Sequence, residues 1–280
     1  MIQASVVFFA FALALYIAST VLYAYQFVLK RSQVGWWARF LTGAGFICQT
    51  LSIGVRSYAM NTTQLTGANQ LMLASWALVL LYFVMEHIIK IKIYGTFLIP
   101  VAVVLMGFSQ MLGGFVQPTG LSPTQQMELA SWRVGFHVAL IVFANAGFAF
   151  GAVSAGVYLF QEGKLKSRTS NIVTRRLPSL ATMQGVARRA ISFSFPVYTA
   201  GLFLGILRAA ELHIPGWWFD LRIMLSGFIW LVFGAYLVLV YRQNVSNRTS
   251  SWVALGGFVL VVIVAILART VPMGFHVFGR

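Results

Sequence analysis

Four histidines are the residues of this sequence best suited to ligating a metal: His87, His137, His213 and His276. Imidazole is a common metal ligand, because either ring nitrogen can offer a lone pair. Arginines stand near the predicted helix ends that carry the last three histidines, at Arg133, Arg208, Arg222 and Arg269. Since guanidinium groups bind carboxylates in a bidentate manner, these residue types together predict a site for a ligand that bears carboxylates.

The stretch "IPGWWFDLRIM" (214–224) is the second feature that could take part in binding. Trp217 and Trp218 stand beside Phe219 and Asp220 in it, directly after a Pro-Gly break. Aromatic faces pack well against flat ligands, and acidic residues are scarce in this chain, with only five in total. The stretch therefore predicts a small aromatic and charged platform.

The residues alone leave three interpretations open. A zinc site normally takes three or four ligands from Cys, His and carboxylate side chains, and the single cysteine, Cys48, lies in an apolar run. Haem needs only one or two axial ligands, and the tryptophans and arginines match its flat ring and its two propionates. The third interpretation is a site without ligand, since tryptophan and arginine are common where membrane-spanning helices meet water.

Membrane-spanning helices are the elements that must position these residues. Of the 280 residues, 59% are hydrophobic and only 9% are charged, whereas a soluble domain carries about 25% charged residues. Several apolar runs reach the ~20 residues that a helix needs to cross a bilayer. We therefore predict an all-α polytopic membrane protein, a bundle of about eight transmembrane helices that forms one domain over 1–280. The predicted spans are 4–28, 36–58, 71–91, 94–114, 134–160, 190–210, 223–241 and 252–271.

The distribution of basic residues predicts how this bundle is oriented. With eight spans, 14 of the 20 Lys and Arg residues fall on one side of the membrane and 6 on the other. Because basic loops stay in the cytoplasm, both termini face outwards in a multi-pass protein of the cytoplasmic (inner) membrane. His137, His213 and His276 then lie at or near the outer surface, and His87 lies near the inner one. The net charge of +15 follows from this topology, so no nucleic-acid partner is expected.

Two loops carry further signals. The inner loop 163–189 holds seven Lys or Arg residues and is either a topology signal or a short interfacial helix that touches anionic membrane lipid. In the outer loop 113–133, Ser122, Pro123 and Gln125 resemble a helix start, which predicts a lid or a plain connector before the fifth span. A ridge of small residues in that span predicts close helix packing: Gly147, Gly151 and Ala155.

The order of motifs from about residue 70 to the end resembles the cytochrome c assembly family, the haem-handling membrane proteins with CcsA and HemX branches. "LASWALVLLYFVMEHIIKIKIYGTFLIP" (73–100) resembles the family's early pair of spans. "WRVGFHVALIVFANAGFAFGAVSAGVYLFQEGKLK" (132–166) and "VPMGFHVFG" (271–279) resemble the segments with its two external histidines. "LPSLATMQGVARRAISFSFPVYTAGLFLGILRA" (177–209) is similar to its loop and following span. "GWWFDLRIMLSGFIWLVFGAYLVLVYR" (216–242) stands where the family has a tryptophan-rich external motif.

This resemblance implies an outward-facing site for a non-covalent, b-type haem. His137 and His276 match the two external histidines that serve as axial ligands. Trp217, Trp218, Phe219 and Asp220 match the tryptophan-rich platform. The propionates are then expected to meet arginines at the same level: Arg133, Arg208, Arg222 and Arg269.

The sequence also departs from the family pattern. Leu221, Arg222 and Ile223 stand where the full motif continues with Pro-Lys-Glu, and "AYLVLVYR" (235–242) lacks the histidine with which this span normally ends. The departures point towards the shorter HemX-like branch, which is linked to haem synthesis or haem-protein assembly.

Three functions follow as hypotheses. The first is a haem-binding protein of cytochrome c biogenesis that works with another membrane or extracytoplasmic assembly protein. The second is a haem-free assembly or regulatory scaffold that contacts a partner through loop 163–189. The third is a small-molecule transporter, although we find no inverted repeat and no pair of broken spans. No Ser–His–Asp or Cys–His arrangement is present, so the chain is not expected to be an enzyme.

Overall fold

Long helices build every described part of the chain. The computed structural model describes residues 2–29, 32–60, 67–89, 93–111, 131–169, 174–211, 216–242 and 245–270. These ranges contain no strand and eight long α-helices. The helices are α1 (Ile2–Leu29), α2 (Ser32–Met60), α3 (Gly67–Ile89), α4 (Tyr94–Met111), α5 (Trp132–Lys166), α6 (Leu180–Glu211), α7 (Leu221–Tyr241) and α8 (Asn247–Thr270). Short 3₁₀ helices occur at Thr174–Arg176 and Trp217–Phe219.

The helices confirm the predicted class, an all-α polytopic membrane protein. Within the described residues, seven helices are long and apolar enough to cross a membrane, namely all but α2. The 29-residue α2 is long enough but carries Arg39, Gln49 and Arg56. Each predicted span overlaps one helix, and α6 begins at Leu180, ten residues before its predicted span. Residues 180–189 of loop 163–189 therefore form the first turns of α6. The helix extends beyond its apolar part because its backbone hydrogen bonds continue there.

Other predictions lie outside what the structure describes. The helix start at Ser122 falls within 112–130, which is not described. The orientation of the helices in the membrane and the single domain over 1–280 stay predictions. The chain forms two compact units. The first contains α1 to α4 with residues 167–177, and the second contains α5 to α8.

A polar seam between α1 and α2 organises the first unit. The buried face of α1 repeats at intervals of three and four residues, which places its side chains on one stripe of the helix. Along this stripe the Tyr16 hydroxyl donates to Gln49 Oε1 at 2.8 Å, and the Ser19 and Thr42 hydroxyls are hydrogen-bonded at 2.5 Å. Buried hydroxyls and amides of this kind hold helices together where no water is available.

The helix α3 joins the same seam at two levels. Gln49 Nε2 donates to Ser75 Oγ at 2.7 Å. Further along, the Tyr82 hydroxyl donates to Glu86 Oε2 at 2.6 Å and is itself 2.6 Å from the Tyr23 hydroxyl. Because the single hydroxyl hydrogen of Tyr82 is donated to the Glu86 carboxylate, Tyr23 is the donor in the second bond. These contacts fasten the N-terminal helical pair to α3.

Basic side chains close the end of the first unit at which α1 finishes. Arg39 pairs with Glu86 through a 3.3 Å contact between Nη1 and Oε1. Arg176 donates to the carbonyls of Phe27 and Val28 in the last turn of α1. A helix leaves its last carbonyls without intrahelical donors, so Arg176 acts as a C-terminal cap supplied by the 3₁₀ turn.

Replacing Gln49 with leucine should destabilise the first unit. Gln49 is fully buried and bonds Tyr16, Ser75 and the Met72 carbonyl, so the substitution leaves buried polar groups unsatisfied, at about 1–3 kcal/mol. Unfolding of Gln49→Leu in mixed micelles measures this loss. The Tyr16→Phe/Gln49→Leu double variant should lose less than the sum of the two single variants, and strict additivity would show that the bond does not couple the helices.

Close packing of α5 on α6 organises the second unit. A Cβ placed on Gly151 would lie 2.6 Å from Ile191 Cγ1, and one on Gly201 would lie 2.9 Å from Ile141 Cδ1. The predicted ridge of small residues in α5 is thus confirmed at its centre. Such residues let two backbones approach closely.

The aromatic core of the second unit lies beside this contact. Phe148 of α5 stacks on Phe233 of α7 with ring centroids 3.7 Å apart and planes 7° apart. Tyr198 and Tyr236, both 2% exposed, belong to the same cluster. The helix α8 completes the unit by packing on α5 and α7, which leaves the ends of α5, α6 and α7 free to carry charged side chains.

The variant Gly151→Val should weaken the contact between α5 and α6. Overpacking of a close contact costs about 1–3 kcal/mol, and the added methyl groups meet Ile191. Gly156→Val is the matched control, because a Cβ at Gly156 meets nothing within 4 Å and the change in intrinsic helix propensity is the same. Thermal unfolding in detergent should show a lower midpoint for Gly151→Val alone, and equal midpoints would contradict the packing argument.

Candidate functional site

His137 lies near the start of α5 and is held by α6. Its Nδ1 atom is 2.7 Å from the carbonyl oxygen of Gly201. A carbonyl oxygen can only accept a hydrogen bond, so Nδ1 carries the proton and Nε2 keeps its lone pair. One turn further along α6, a Cβ on Gly205 would lie 2.7 Å from Cε1 of this ring. Two glycines of α6 therefore fix both the position and the tautomer of an imidazole that is half-buried.

Arg222, in the first turn of α7, is the cation associated with this imidazole. The positive charge of its guanidinium is close enough to interact electrostatically with His137 and also with the Asp220 carboxylate. The Arg222 side chain is half-buried. The structure thus brings together two of the predicted site residues, His137 from α5 and Arg222 from α7.

Arg133 and Arg208 share one carboxylate. Glu211 Oε2 lies 3.1 Å from Arg133 Nη1 and 2.8 Å from Arg208 Nη1. Arg133 also lies over the Trp132 ring, with its Cζ 5.9 Å from the ring centroid. Two guanidinium groups on one carboxylate leave a net positive charge, so this group still attracts an anion. Glu211 is not among the predicted site residues, although its spacing of three residues from Arg208 is the spacing of helical ion pairs.

The aromatic platform forms a single 3₁₀ turn, Trp217–Phe219, directly after Gly216. Gly216 has a φ of 70°, a left-handed conformation that glycine adopts without steric cost. Trp217 and Trp218 meet edge to face with centroids 5.6 Å apart. Trp218 is 57% exposed and Phe219 is 76% exposed, so this turn presents aromatic surface at the start of α7.

Asp220 has a local structural role. Its Oδ1 atom accepts hydrogen bonds from the backbone N–H groups of Arg222 (2.9 Å) and Ile223 (3.3 Å). This makes Asp220 the N-cap of α7, the position that aspartate favours because it satisfies N–H groups without intrahelical partners. Its 6% exposure places the carboxylate within the protein, beneath the aromatic turn.

The remaining predicted residues are not brought to this site by the described structure. His213 and His276 lie outside the described residues, and so does the side chain of Arg269, which belongs to the last turn of α8. His87 is exposed in the last turn of α3, in the first unit. Among the residues that the structure describes, no group of three or more His, Cys, Asp or Glu side chains could hold a metal ion.

The described helices define a multi-pass helical membrane protein, and its second unit carries a basic and aromatic candidate site around His137. The chain belongs to the cytochrome c assembly protein family, whose model matches residues 65–276. The matched range includes both His137 and His276, and the helices α1 and α2 precede it. Membership of this family supports a role in cytochrome c biogenesis.

Relatives of both branches are similar to this chain. Protein HemX of Brevibacillus brevis is 28% identical over 45% of this chain and 47% of the relative. The cytochrome c biogenesis protein CcsA of Guillardia theta is 23% identical over 75% of this chain and 74% of the relative. CcsA of Crocosphaera subtropica is 27% identical over 45% of this chain and 38% of the relative. The matches thus span about half the length of the HemX protein and three quarters of the Guillardia protein.

Two substitutions of Asp220 separate the contribution of its capping hydrogen bonds from that of its negative charge. Asp220→Ala should destabilise the protein by about 0.5–2 kcal/mol, because the first turn of α7 loses its acceptor. Asp220→Asn keeps an acceptor oxygen and should be close to the parent in thermal unfolding. If the two variants lost the same stability, the negative charge rather than the cap would be the contribution of Asp220.

Proposed function

We propose that this protein binds a b-type haem non-covalently at an outward-facing site, as part of cytochrome c biogenesis at the cytoplasmic (inner) membrane. His137 is the first axial ligand and His276 the second. The observation that carries the proposal is the geometry of His137. The hydrogen bond to Gly201 holds the proton on Nδ1, and so Nε2 is the nitrogen left to ligate a metal.

This arrangement matches the donor set that a haem site requires. Histidines that ligate a metal almost always donate their other N–H to a carbonyl or carboxylate, which fixes the ring orientation and makes the ligand more basic. When bound, haem supplies an iron that accepts axial imidazoles and changes its redox state. The role of α6 is to hold the imidazole ready, since Gly201 and Gly205 restrict the ring before any ligand arrives.

Arginines around His137 are the proposed partners of the haem propionates. Arg222 is the best placed, because its charge already interacts with His137. Arg133 and Arg208 now share the Glu211 carboxylate. A haem propionate would compete with Glu211 for these arginines, and each arginine could then have a carboxylate of its own. Arg269 is proposed as a further partner through its place in the last turn of α8.

Aromatic surface is the third element of the proposed site. Trp217 and Trp218, in the turn before α7, offer ring faces and edges next to the element that carries Arg222. Aromatic packing on a flat ligand excludes water and adds to the affinity. The chain is proposed to hold or hand over haem to another membrane or extracytoplasmic assembly protein, and not to act as an enzyme by itself.

A haem-free scaffold is the second candidate, favoured by one observation. Glu211 pairs with Arg133 and Arg208, and Asp220 caps α7, so three of the predicted ligand-binding residues have partners within the protein. In this alternative the exposed Trp218 and Phe219 contact a partner protein, as aromatic residues often do in interfaces.

The visible spectrum of the detergent-purified protein, with and without added haemin, tests the proposal. We expect a Soret band with low-spin reduced peaks, lost in His137→Ala and in His276→Ala. The band should persist in His213→Ala and in His87→Ala, which is a matched control because His87 is exposed in the first unit.

A rescue experiment guards against variants that fail for structural reasons. Free imidazole added to His137→Ala should restore the spectrum if the ligand alone is missing, and thermal unfolding should show that the variant is folded. A featureless spectrum of the parent protein with added haemin would exclude haem binding and leave the scaffold as the function. A band that survives both His137→Ala and His276→Ala would assign the iron ligands elsewhere.

A further inference from the structure

The end of the second unit opposite His137 is strongly basic. At this end α5 and α7 finish and α6 and α8 begin. We call it the basic end, and its cations are Lys164, Lys166, Arg188, Arg189, Arg242 and Arg248. Among the described residues of the second unit, Glu162 is the acidic residue at this end.

Glu162 is already occupied by two of these cations. Its Oε1 atom lies 2.8 Å from Lys166 Nζ, and its Oε2 atom lies 3.9 Å from Arg248 Nε. Three other cations at the basic end, Arg188, Arg189 and Arg242, take no part in these two ion pairs.

Carboxylates for Arg188, Arg189 and Arg242 are lacking within the described residues. The whole sequence has five acidic residues. Glu86 pairs with Arg39, Glu211 pairs with two arginines, and Asp220 caps α7. The fifth, Glu128, lies outside the described residues. In the described part of the chain, no carboxylate lies within 4.0 Å of these three arginines, and all three are exposed.

The three arginines surround a seam between α6 and α7. The Ser192 hydroxyl of α6 is hydrogen-bonded to the Tyr241 hydroxyl of α7 at 3.0 Å. Arg188 and Arg189 precede Ser192 by four and three residues, which places them one helical turn away on the same face. Arg242 directly follows Tyr241 and caps the end of α7. The charge of Arg188 also reaches the Tyr236 hydroxyl of α7, so Arg188 of α6 lies beside α7.

Apolar side chains continue this surface away from the charges. Phe193 of α6 is 69% exposed and Val238 of α7 is 51% exposed. They lie about one turn further into the membrane-spanning parts of their helices than Arg189 and Arg242. Tyr241, which is 60% exposed, stands between the two zones, as tyrosine does where a bilayer meets water.

We propose that this seam is a binding site for one anionic phospholipid of the adjacent leaflet. Arg188, Arg189 and Arg242 bind the headgroup phosphate, since guanidinium groups form bidentate hydrogen bonds with phosphate oxygens. With Ser192 as the donor in the hydrogen bond between the two hydroxyls, Tyr241 donates one further hydrogen bond to the phosphate. An acyl chain covers Phe193 and Val238, which is why a lipid rather than free phosphate suits the site: only a lipid offers both a phosphate and an apolar chain.

Native mass spectrometry of the full-length protein in detergent tests this site. Phosphatidylglycerol and phosphatidylcholine with identical acyl chains are the probes. The parent should retain one phosphatidylglycerol molecule in preference to phosphatidylcholine. Its apparent affinity should fall about fivefold for each arginine removed, and on the order of 100-fold in Arg188→Gln/Arg189→Gln/Arg242→Gln.

A charge-matched variant distinguishes this site from general attraction between a basic protein and an acidic lipid. Lys164→Gln/Arg168→Gln/Arg175→Gln removes the same charge from residues that belong to neither α6 nor α7, and this variant should keep the retained phosphatidylglycerol. Equal losses in the two triple variants would overturn the proposal. Displacement of the lipid by inorganic phosphate alone would also overturn it, because the site would then recognise a soluble anion.

Two milder variants keep the test decisive if the triple variant does not fold. Tyr241→Phe removes one hydroxyl and should weaken retention several-fold without changing the charge, whereas Arg242→Lys keeps the charge but loses the bidentate fork and should weaken it too. Unchanged retention in both would show that the seam does not bind the headgroup. The readout does not involve haem, so its result is independent of the function proposed for His137.

Discussion

The scarcity of water within a bilayer is the constraint on which this structure depends. A polar group that enters the membrane must find its partner inside the protein, and the described helices meet this requirement in pairs. Tyr16 bonds Gln49 in the first unit, and His137 bonds the Gly201 carbonyl in the second. The requirement for internal hydrogen bonds, which stabilises the helices, therefore also fixes the orientation of the imidazole. A structural bond of this kind leaves the second ring nitrogen, Nε2, for the proposed ligation.

Close approach of backbones makes the second of these bonds available. The His137 ring reaches the Gly201 carbonyl because α6 has glycine at position 205, where a side chain would occupy the space of the ring, and at position 201, where it would meet Ile141. The same contact continues at Gly151, and the aromatic core around Phe148 and Phe233 supports it from the other side. The position of the proposed ligand is thus a consequence of helix packing along much of α5.

The ratio of 20 basic to five acidic side chains gives the two ends of the second unit different properties. At the end that carries His137, Glu211 partly neutralises Arg133 and Arg208, and Asp220 lies beside Arg222. At the basic end, Glu162 serves Lys166 and Arg248, and the arginines of the seam between α6 and α7 remain exposed. The first arrangement suits an anionic ligand that can replace an internal carboxylate as the partner of an arginine. The second suits an anion supplied by the surroundings, and the bilayer surface is such a source.

The sequence by itself determined the class of the protein, the approximate spans and the family resemblance. These properties depend on local composition and on the order of motifs along the chain, which require no knowledge of contacts. The close packing at Gly151 was also predictable, since small residues repeat at helical spacing in α5. The cap at Asp220 was equally predictable, because an aspartate precedes an apolar run there.

Only the tertiary structure decided which of the candidate residues meet. The partner of His137 is 64 residues away along the chain, and Arg133 and Glu211 are separated by 78. Sequence spacing cannot predict such pairs, since they depend on which helices pack together and at what register. The tautomer of His137, the sharing of Glu211 and the seam between Ser192 and Tyr241 all follow from that register. For this reason the residue types of the candidate site could be chosen from the sequence, whereas their division into paired and available groups could not.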